Sequence, residues 1–141
     1  MTLKRIDYRN KKDVSKFIDL AGTSQNTFRY FKTRDISILK NHLLTLLVYN
    51  EDKDPVGYGH LEPEDDKIWL GICVIDSALG KGIGKQIMNE LISFGNDHNL
   101  CITLSVDFDN IPAITLYKKM GFKVIKTTKN IIYMEKKCQI L

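Results

Sequence analysis

The spacing of apolar residues along the chain predicts seven strands and four helices. Strands are predicted where apolar and polar positions alternate or β-favouring apolar residues run together, over 3–8, 44–49, 56–62, 68–75, 101–106, 122–127 and 131–136. Helices are predicted where apolar positions recur every three or four residues, over 12–21, 35–43, 83–96 and 111–120. The order β-α-α-β-β-β-α-β-α-β-β indicates one α/β domain over residues 1–141, with a mixed, mostly antiparallel central sheet and helices on both faces.

The connections between these elements suggest how the strands pair. Turn residues join the three strands between positions 44 and 75, so these strands are predicted to be antiparallel neighbours. A helix separates the strands over 68–75 and 101–106, which favours a parallel crossover between them. Between the first two helices, residues 23–34 lose this periodicity and mix small polar residues with three aromatics and two arginines. Part of that segment is therefore expected to face something other than the core.

A glycine-rich turn lies between the strand over 68–75 and the helix that begins at Ile83. Glycines occupy positions 80, 82 and 84, and lysines occupy positions 81 and 85. Glycine permits positive φ and close approach of a ligand, and the free N–H groups of a helix N-terminus attract anions. The turn is therefore a candidate phosphate site, although a tight turn that binds nothing would contain the same glycines.

Two common phosphate-binding motifs do not fit this turn. A P-loop has four residues between its first glycine and the Gly-Lys pair, whereas only three separate Gly80 from Gly84. A dinucleotide fingerprint requires a third glycine at the position of Lys85. The phosphate-bearing ligand is thus expected to belong to another class.

Composition excludes several classes of function. The chain has 21 Lys and Arg against 17 Asp and Glu, and this net charge of +4 lacks the basic clustering of a nucleic-acid binder. It has no apolar run of membrane-spanning length, and its charged N-terminus does not resemble a signal peptide, so a cytoplasmic protein is expected. Its three cysteines are far apart and lack CxxC spacing, which argues against a disulfide framework or a metal site.

Three motifs in the second half of the chain resemble the GNAT acetyltransferase superfamily, and the resemblance extends over essentially the full length. They are Val74 followed by the glycine-rich turn at 79–84, the Asn110–Tyr117 helix, and the Met-Gly-Phe turn at 120–122. The resemblance implies an N-acetyltransferase that uses acetyl-CoA, with its two parallel strands splayed apart at the cofactor cleft. Leu79 departs from the Arg or Gln usual in the family, but a backbone contact is expected there.

The resemblance also implies which residues bind the cofactor. Amides of the turn would hold the pyrophosphate, main-chain groups before it would pair with the pantetheine arm, and one face of the 111–120 helix would meet the cofactor. The expected cofactor-binding residues are Ile72, Cys73, Val74, Leu79, Gly80, Lys81, Gly82, Ile83, Gly84, Lys85, Asn110, Ala113 and Tyr117. A backbone N–H near Val74 is the expected donor to the oxyanion.

Acetyl transfer to an amine needs a general acid and a route for the amine proton. By resemblance Tyr117 is the acid, since a phenol of pKa about 10 can protonate a leaving thiolate. The strand before the glycine-rich turn lacks the Glu that some family members use as base. The preceding strand places His60 and Glu62 on one face, so either side chain, or a water chain, is the candidate base.

The acceptor is left open by the sequence. Candidate acceptor-binding residues are Phe28, Arg29, Tyr30, His60, Glu62 and Trp69. Arginine beside aromatics suits a small primary amine with an anionic part, such as an amino sugar or a nucleotide-linked amino sugar. Acetylation of a protein or peptide amine, and a non-catalytic acyl-CoA-binding module, are the alternatives, and the C-terminal strand pair offers an edge for a homodimer.

Overall fold

The structure is a computed structural model that describes residues 1–26 and 28–138, so Thr27 and the last three residues of the predicted 1–141 domain lie outside it. Seven strands form one sheet in the order β1-β2-β3-β4-β5-β7-β6. Their bounds are β1 Thr2–Ile6, β2 Leu44–Tyr49, β3 Pro55–Glu64, β4 Lys67–Val74, β5 Ile102–Asp107, β6 Lys123–Thr127 and β7 Ile131–Lys136. All neighbours are antiparallel except β4 and β5, which confirms the predicted fold class.

Helices cover both faces of the sheet, as predicted. The bounds of the α-helices are α1 Lys11–Ala21, α2 Ile83–Asp97 and α3 Ile111–Lys119. On one face of β3, Phe17 of α1 stacks on Tyr58, with their ring centroids 5.7 Å apart. On the other face, Gly59 lets α2 approach so closely that an added Cβ would lie 2.4 Å from Cγ2 of Ile87. Because successive side chains of a strand point to opposite faces, β3 lies between the two helices.

The predicted α-helix over 35–43 is instead a shorter 3-10 helix, Ile36–Asn41. Asp35 caps it by accepting a hydrogen bond from the Ser37 N–H at 3.1 Å, and the backbone becomes extended at His42. Of the residues in this helix only Leu39 is buried, so there is no apolar stripe long enough to stabilise an α-helix by packing. The described residues between 22 and 42 form a winding segment, named segment 22–42, which includes further 3-10 helices at Gly22–Asn26 and Tyr30–Lys32.

The parallel strands β4 and β5 are paired only at their beginnings. Their register consists of Ile68 opposite Ile102 and Trp69 opposite Thr103, and after these two positions the strands diverge. The predicted splay is thus present, and it opens a cleft in the middle of the sheet. Among the described helices, none is long and apolar enough to cross a membrane.

Candidate active site

A cavity of about 660 Å³ lies between the winding segment 22–42 and the splayed strands. It brings together all six residues predicted to bind the acceptor, and Tyr117 as well. The residues that line the cavity include Phe28, Arg29, Tyr30, Arg34, His60, Glu62, Trp69, Ile72 and Tyr117. Residues distant in sequence, from β3, β4, α3 and the winding segment, therefore face one space.

His60 forms part of the cavity wall and is almost fully buried. Its Nδ1 lies 2.6 Å from the hydroxyl oxygen of Tyr58, and its ring lies over Gly71 of β4. Burial, followed by the nearby His42 and Arg34, lowers the pKa of His60 well below its usual value. The His60 imidazole is therefore neutral at pH 7.

Glu62 is 5% exposed, and its carboxylate belongs to a chain of hydrogen bonds. The Tyr30 hydroxyl donates to Oε1 of Glu62 at 2.8 Å, and the same hydroxyl oxygen lies 2.7 Å from Nε2 of His42. Nδ1 of His42 lies 2.9 Å from Oγ1 of Thr45. Burial lowers the pKa of His42 to about 4, and burial and then Glu62 raise that of Tyr30, so both side chains are neutral at pH 7.

The same side chains have the composition of a metal site, since ligand atoms of His42, His60 and Glu62 all lie within 4.8 Å of one another. However, the Tyr30 hydroxyl bridges two of these ligand atoms. The cationic Arg34 guanidinium also lies over the Tyr30 ring, 4.4 Å from its centroid. A second cation would be repelled there, so we interpret His42, Tyr30 and Glu62 as a hydrogen-bonded cluster, against which the His60 ring packs.

Tyr117 connects this cavity to a smaller one of about 110 Å³ between β5 and α3. It is 8% exposed, and burial and then the Cys73 thiol raise its pKa to about 12. A phenol in this state is fully protonated at neutral pH. Ile72 of β4 also lines both cavities, so the two spaces meet at the opening between the splayed strands.

Asn110 is the N-cap of α3, and its Oδ1 accepts a weak hydrogen bond from the Ala113 N–H at 3.4 Å. Asn110 also lines the smaller cavity, so it can both start the helix and face a ligand. Arg29, predicted to meet an anionic acceptor, forms a bidentate ion pair with Asp107 of β5 at 3.0 and 3.2 Å. Its charge is therefore already balanced within the protein.

The glycine-rich turn has the geometry required of an anion site. Gly80 and Gly82 have φ of +78° and +79°, and a Cβ on either would meet no protein atom within 4 Å. The first hydrogen bond of α2 runs from the Gln86 N–H to the Gly82 carbonyl at 3.0 Å, which leaves the preceding amides of the helix start without intrahelical partners. The Leu79 N–H donates to Asp76 O at 3.3 Å, so the available amides begin at Gly80.

The end of β4 presents main-chain groups to the cleft. The Ile75 N–H donates to Val56 O on β3 at 3.0 Å, and bonding alternates along an antiparallel pair. The polar groups of Ile72 and Val74 therefore point toward β5, where pairing has ended. The Val74 carbonyl accepts a hydrogen bond from Ser24 at 3.1 Å, whereas Cys73 is buried, with its pKa raised to about 12 by burial and then Asp76.

Sequence reasoning missed several residues that line the larger cavity or complete its hydrogen bonds. They are Lys32, Thr33, Glu64, Asp65, Ser105 and Tyr133, and, in the hydrogen-bonded cluster, His42. Tyr133 reaches the cavity because β7 pairs with β5, where it lies opposite Ser105. Nothing in the local sequence around Tyr133 indicates this pairing. For His42, the prediction of a helix over 35–43 concealed its position at the start of an extended segment.

Comparisons with known proteins identify the class. Residues 13–122 match the acetyltransferase (GNAT) family. A mycothiol acetyltransferase from Corynebacterium jeikeium is 38% identical over 60 residues, a match that covers 40% of this chain and only 16% of that protein.

Solved structures with the same fold cover nearly the whole chain. PaiA N-acetyltransferase from Thermoplasma acidophilum, in complex with coenzyme A, has a TM-score of 0.71 and 21% identity over 97% of this chain and 99% of that chain. Ribosomal-protein-alanine N-acetyltransferase from Brucella melitensis has a TM-score of 0.77 and 18% identity over 97% and 99%.

The chain belongs to the GNAT family of acetyltransferases, because the family match extends over most of its length. The family is one of acetyltransferases, and the T. acidophilum neighbour is an N-acetyltransferase in complex with coenzyme A.

Proposed function

We propose that this enzyme acetylates a primary amine of a small molecule that binds in the 660 Å³ cavity. One observation carries the proposal: a buried carboxylate, Glu62, and a buried phenol, Tyr117, line the same cavity. Acetyl transfer to an amine requires a group that accepts a proton from the amine and a group that donates one to the leaving thiolate. The Glu62 carboxylate can accept a proton, and the Tyr117 hydroxyl can donate one.

The geometry of the turn and of β4 supports the proposed cofactor-binding residues. Amides from Gly80 to Lys85 would hold the pyrophosphate, and the outward polar groups of Ile72 and Val74 would pair with the pantetheine arm. Acetyl-CoA supplies an activated acetyl group as a thioester, and its thiolate leaves on direct attack by the amine. The Val74 N–H points toward the cleft, where it is the proposed donor to the developing oxyanion.

For the base, we favour Glu62 over His60. A substrate ammonium has a pKa near that of Lys, about 10.4, and must lose a proton before it attacks. Transfer of that proton to the Glu62 carboxylate neutralises two opposite charges, which a buried site favours. Transfer to His60 would instead create an imidazolium where burial already lowers the pKa of the histidine. His60 is thus better suited to shape the wall beneath the acceptor.

Tyr117 is the proposed acid. Its hydroxyl is protonated at neutral pH, since burial raises the pKa to about 12. It also lies where the two cavities meet, next to the β4 groups proposed to bind the cofactor arm. A proton held on this oxygen would be available to the thiolate that leaves at the junction.

The remaining lining residues indicate the class of acceptor. Lys32 and Arg34 contribute positive charge to the cavity, and Tyr30 and Trp69 contribute flat surfaces. These groups favour an amine that also has an anionic part and a ring, such as an amino sugar or a nucleotide-linked amino sugar. The Arg29–Asp107 ion pair leaves Lys32 and Arg34 as the proposed partners of the anion.

A thiol-release assay with acetyl-CoA tests this function. The panel contains amino sugars, nucleotide-linked amino sugars, polyamines, aminoglycosides, amino acids and peptides. We expect turnover with a small amine, highest with one that has an anionic group. Turnover with peptides alone would identify a protein acetyltransferase, and tight coenzyme A binding without any turnover would indicate a binding module. Either result would refute the proposal.

A further inference from the structure

The side chains of Thr45, His42, Tyr30 and Glu62 form one continuous line of hydrogen bonds. Its three links measure 2.9, 2.7 and 2.8 Å and end at Oε1 of Glu62. The line crosses three parts of the fold: β2, the winding segment 22–42 and β3. Glu62 and Tyr30 line the cavity, whereas His42 and Thr45 lie behind them.

The protons of this line have only one arrangement when Glu62 is ionised. An ionised carboxylate only accepts hydrogen bonds, so the Tyr30 hydroxyl donates its one hydrogen to Glu62. His42 must then donate to the Tyr30 oxygen, which puts its proton on Nε2. Nδ1 of His42 is left as an acceptor for the Thr45 hydroxyl. Every donor in the line thus points toward the carboxylate.

We propose that His42, acting through Tyr30, is a positioning residue that keeps the Glu62 carboxylate ionised and oriented as the base. The inference rests on the role of Glu62 in the proposed function. His42 fixes the direction of the Tyr30 hydroxyl, and that hydroxyl gives the carboxylate a hydrogen bond that favours its charged form. Neither His42 nor Tyr30 exchanges a proton with the substrate.

Because His42 and Tyr30 are partly shielded from solvent, both side chains keep these protons around neutral pH. His42 has a pKa of about 4 because it is buried, and the pKa of Tyr30 is raised by burial and by Glu62, so neither changes its charge near pH 7. Other titratable groups lie next to this line of hydrogen bonds. They are Tyr58, His60 and Glu64 of β3 and Arg34 of the winding segment. The Arg34 guanidinium lies over the Tyr30 ring, 4.4 Å from its centroid, so it adds a positive charge next to this line.

The tautomer of His42 is the first test, and it needs no acceptor. Two-bond hydrogen–nitrogen correlation spectra of ¹⁵N-histidine-labelled protein at pH 7 distinguish the two neutral tautomers from imidazolium. We expect His42 to be neutral with its proton on Nε2. A proton on Nδ1, or a doubly protonated ring, would overturn the proposal.

The second test measures the pKa of Glu62 by ¹³C titration of labelled carboxyl groups in the variants. Tyr30→Phe should raise this pKa by about one unit, because a hydrogen bond to the charged form is lost. His42→Leu should raise it by less, and His42→Gln, which retains a donor at the position of Nε2, should stay near the wild-type value. His42→Leu should add nothing in a Tyr30→Phe background.

The experiments distinguish failure of the positioning role of His42 from failure of Glu62 as the base. An unchanged Glu62 pKa in Tyr30→Phe, or the same effect of His42→Leu with and without the Tyr30 hydroxyl, would overturn the positioning role. If the shifts occur but Glu62→Gln retains full activity, the hydrogen-bonded line exists while the role of Glu62 as base, and with it the proposal, fails. The two ideas are therefore tested separately.

Discussion

His60 lies directly over Gly71: a Cβ at position 71 would lie 2.4 Å from Cε1 and 2.6 Å from Nε2 of the imidazole. The two residues are opposite each other on β3 and β4, and both line the larger cavity. The absence of a side chain at Gly71 thus gives the buried imidazole its place in the wall.

Gly71→Ala is therefore expected to move His60. Overpacking of this kind costs about 1–3 kcal/mol, and turnover should fall because the cavity wall shifts. Urea unfolding and steady-state kinetics would measure both effects. Gly84→Ala is the control for stability alone, since a Cβ there makes only an ordinary contact of 3.9 Å with Val74. If Gly71→Ala and Gly84→Ala were equally stable, His60 would not be packed closely against position 71.

Removal of the Tyr117 hydroxyl tests the proposed acid. Tyr117→Phe should lower kcat by about 10²- to 10⁴-fold while the affinity for coenzyme A stays nearly constant. Because burial raises the pKa of Tyr117 to about 12, no alkaline loss of wild-type activity below pH 10 should be due to this group. Kinetics and calorimetric titration with coenzyme A would measure the two quantities. An unchanged kcat would remove Tyr117 from the mechanism.

The backbone of the glycine-rich turn is tested by Gly82→Val. At φ of +79° a β-branched residue is strained, so the turn should rearrange and coenzyme A should bind at least about 10-fold more weakly. Leu79→Ala is the matched control, since that side chain is 59% exposed and its N–H donates to Asp76 within the protein. Calorimetric titration compares the variants. Wild-type affinity in Gly82→Val would refute the placement of the pyrophosphate.

The stability of the fold should depend on pH through His42. Its folded-state pKa is about 4, whereas an unfolded histidine has about 6.5. Between these values the unfolded chain binds more protons, so the free energy of unfolding falls as pH falls. At pH 5 His42 alone should account for a loss of about 2 kcal/mol relative to pH 7.

Urea unfolding at pH 7 and pH 5 checks this effect. His42→Gln should show a smaller loss of stability between the two pH values than the wild type. The exposed His98→Gln is the matched control and should keep the wild-type loss. An equal loss in His42→Gln and the wild type would show that His42 is not buried as a neutral ring.

The parts of the candidate site that depend on local backbone conformation could be predicted from the sequence. Gly80 and Gly82 precede a helix, Gly84 lies in its first turn, and Asn110 caps another helix, so these features are visible without a fold. Tyr133 and His42 could not be predicted in the same way, because their positions depend on strand pairing and on where a 3-10 helix ends. The acceptor cavity is formed mainly by such distant contacts.

Contacts between distant residues also explain why the α-helix predicted over 35–43 is a 3-10 helix in the structure. Asp35 caps a helix there as expected, but helix type depends on how much apolar surface the neighbouring elements cover. Only Leu39 is buried, so a 3-10 helix forms, and His42 is released into an extended conformation next to Tyr30. An element that differs from the prediction thus supplies part of the hydrogen-bonded cluster.

The Glu62 carboxylate is proposed to accept the proton of a small amine bound in the cavity. The most direct measurement is the pH dependence of kcat/KM for Glu62→Gln and the wild type, from pH 5 to 9, with the best acceptor of the thiol-release panel. We expect the variant to lose at least about 100-fold in kcat/KM across this pH range. A Glu62→Gln enzyme with the wild-type kcat/KM would contradict this role.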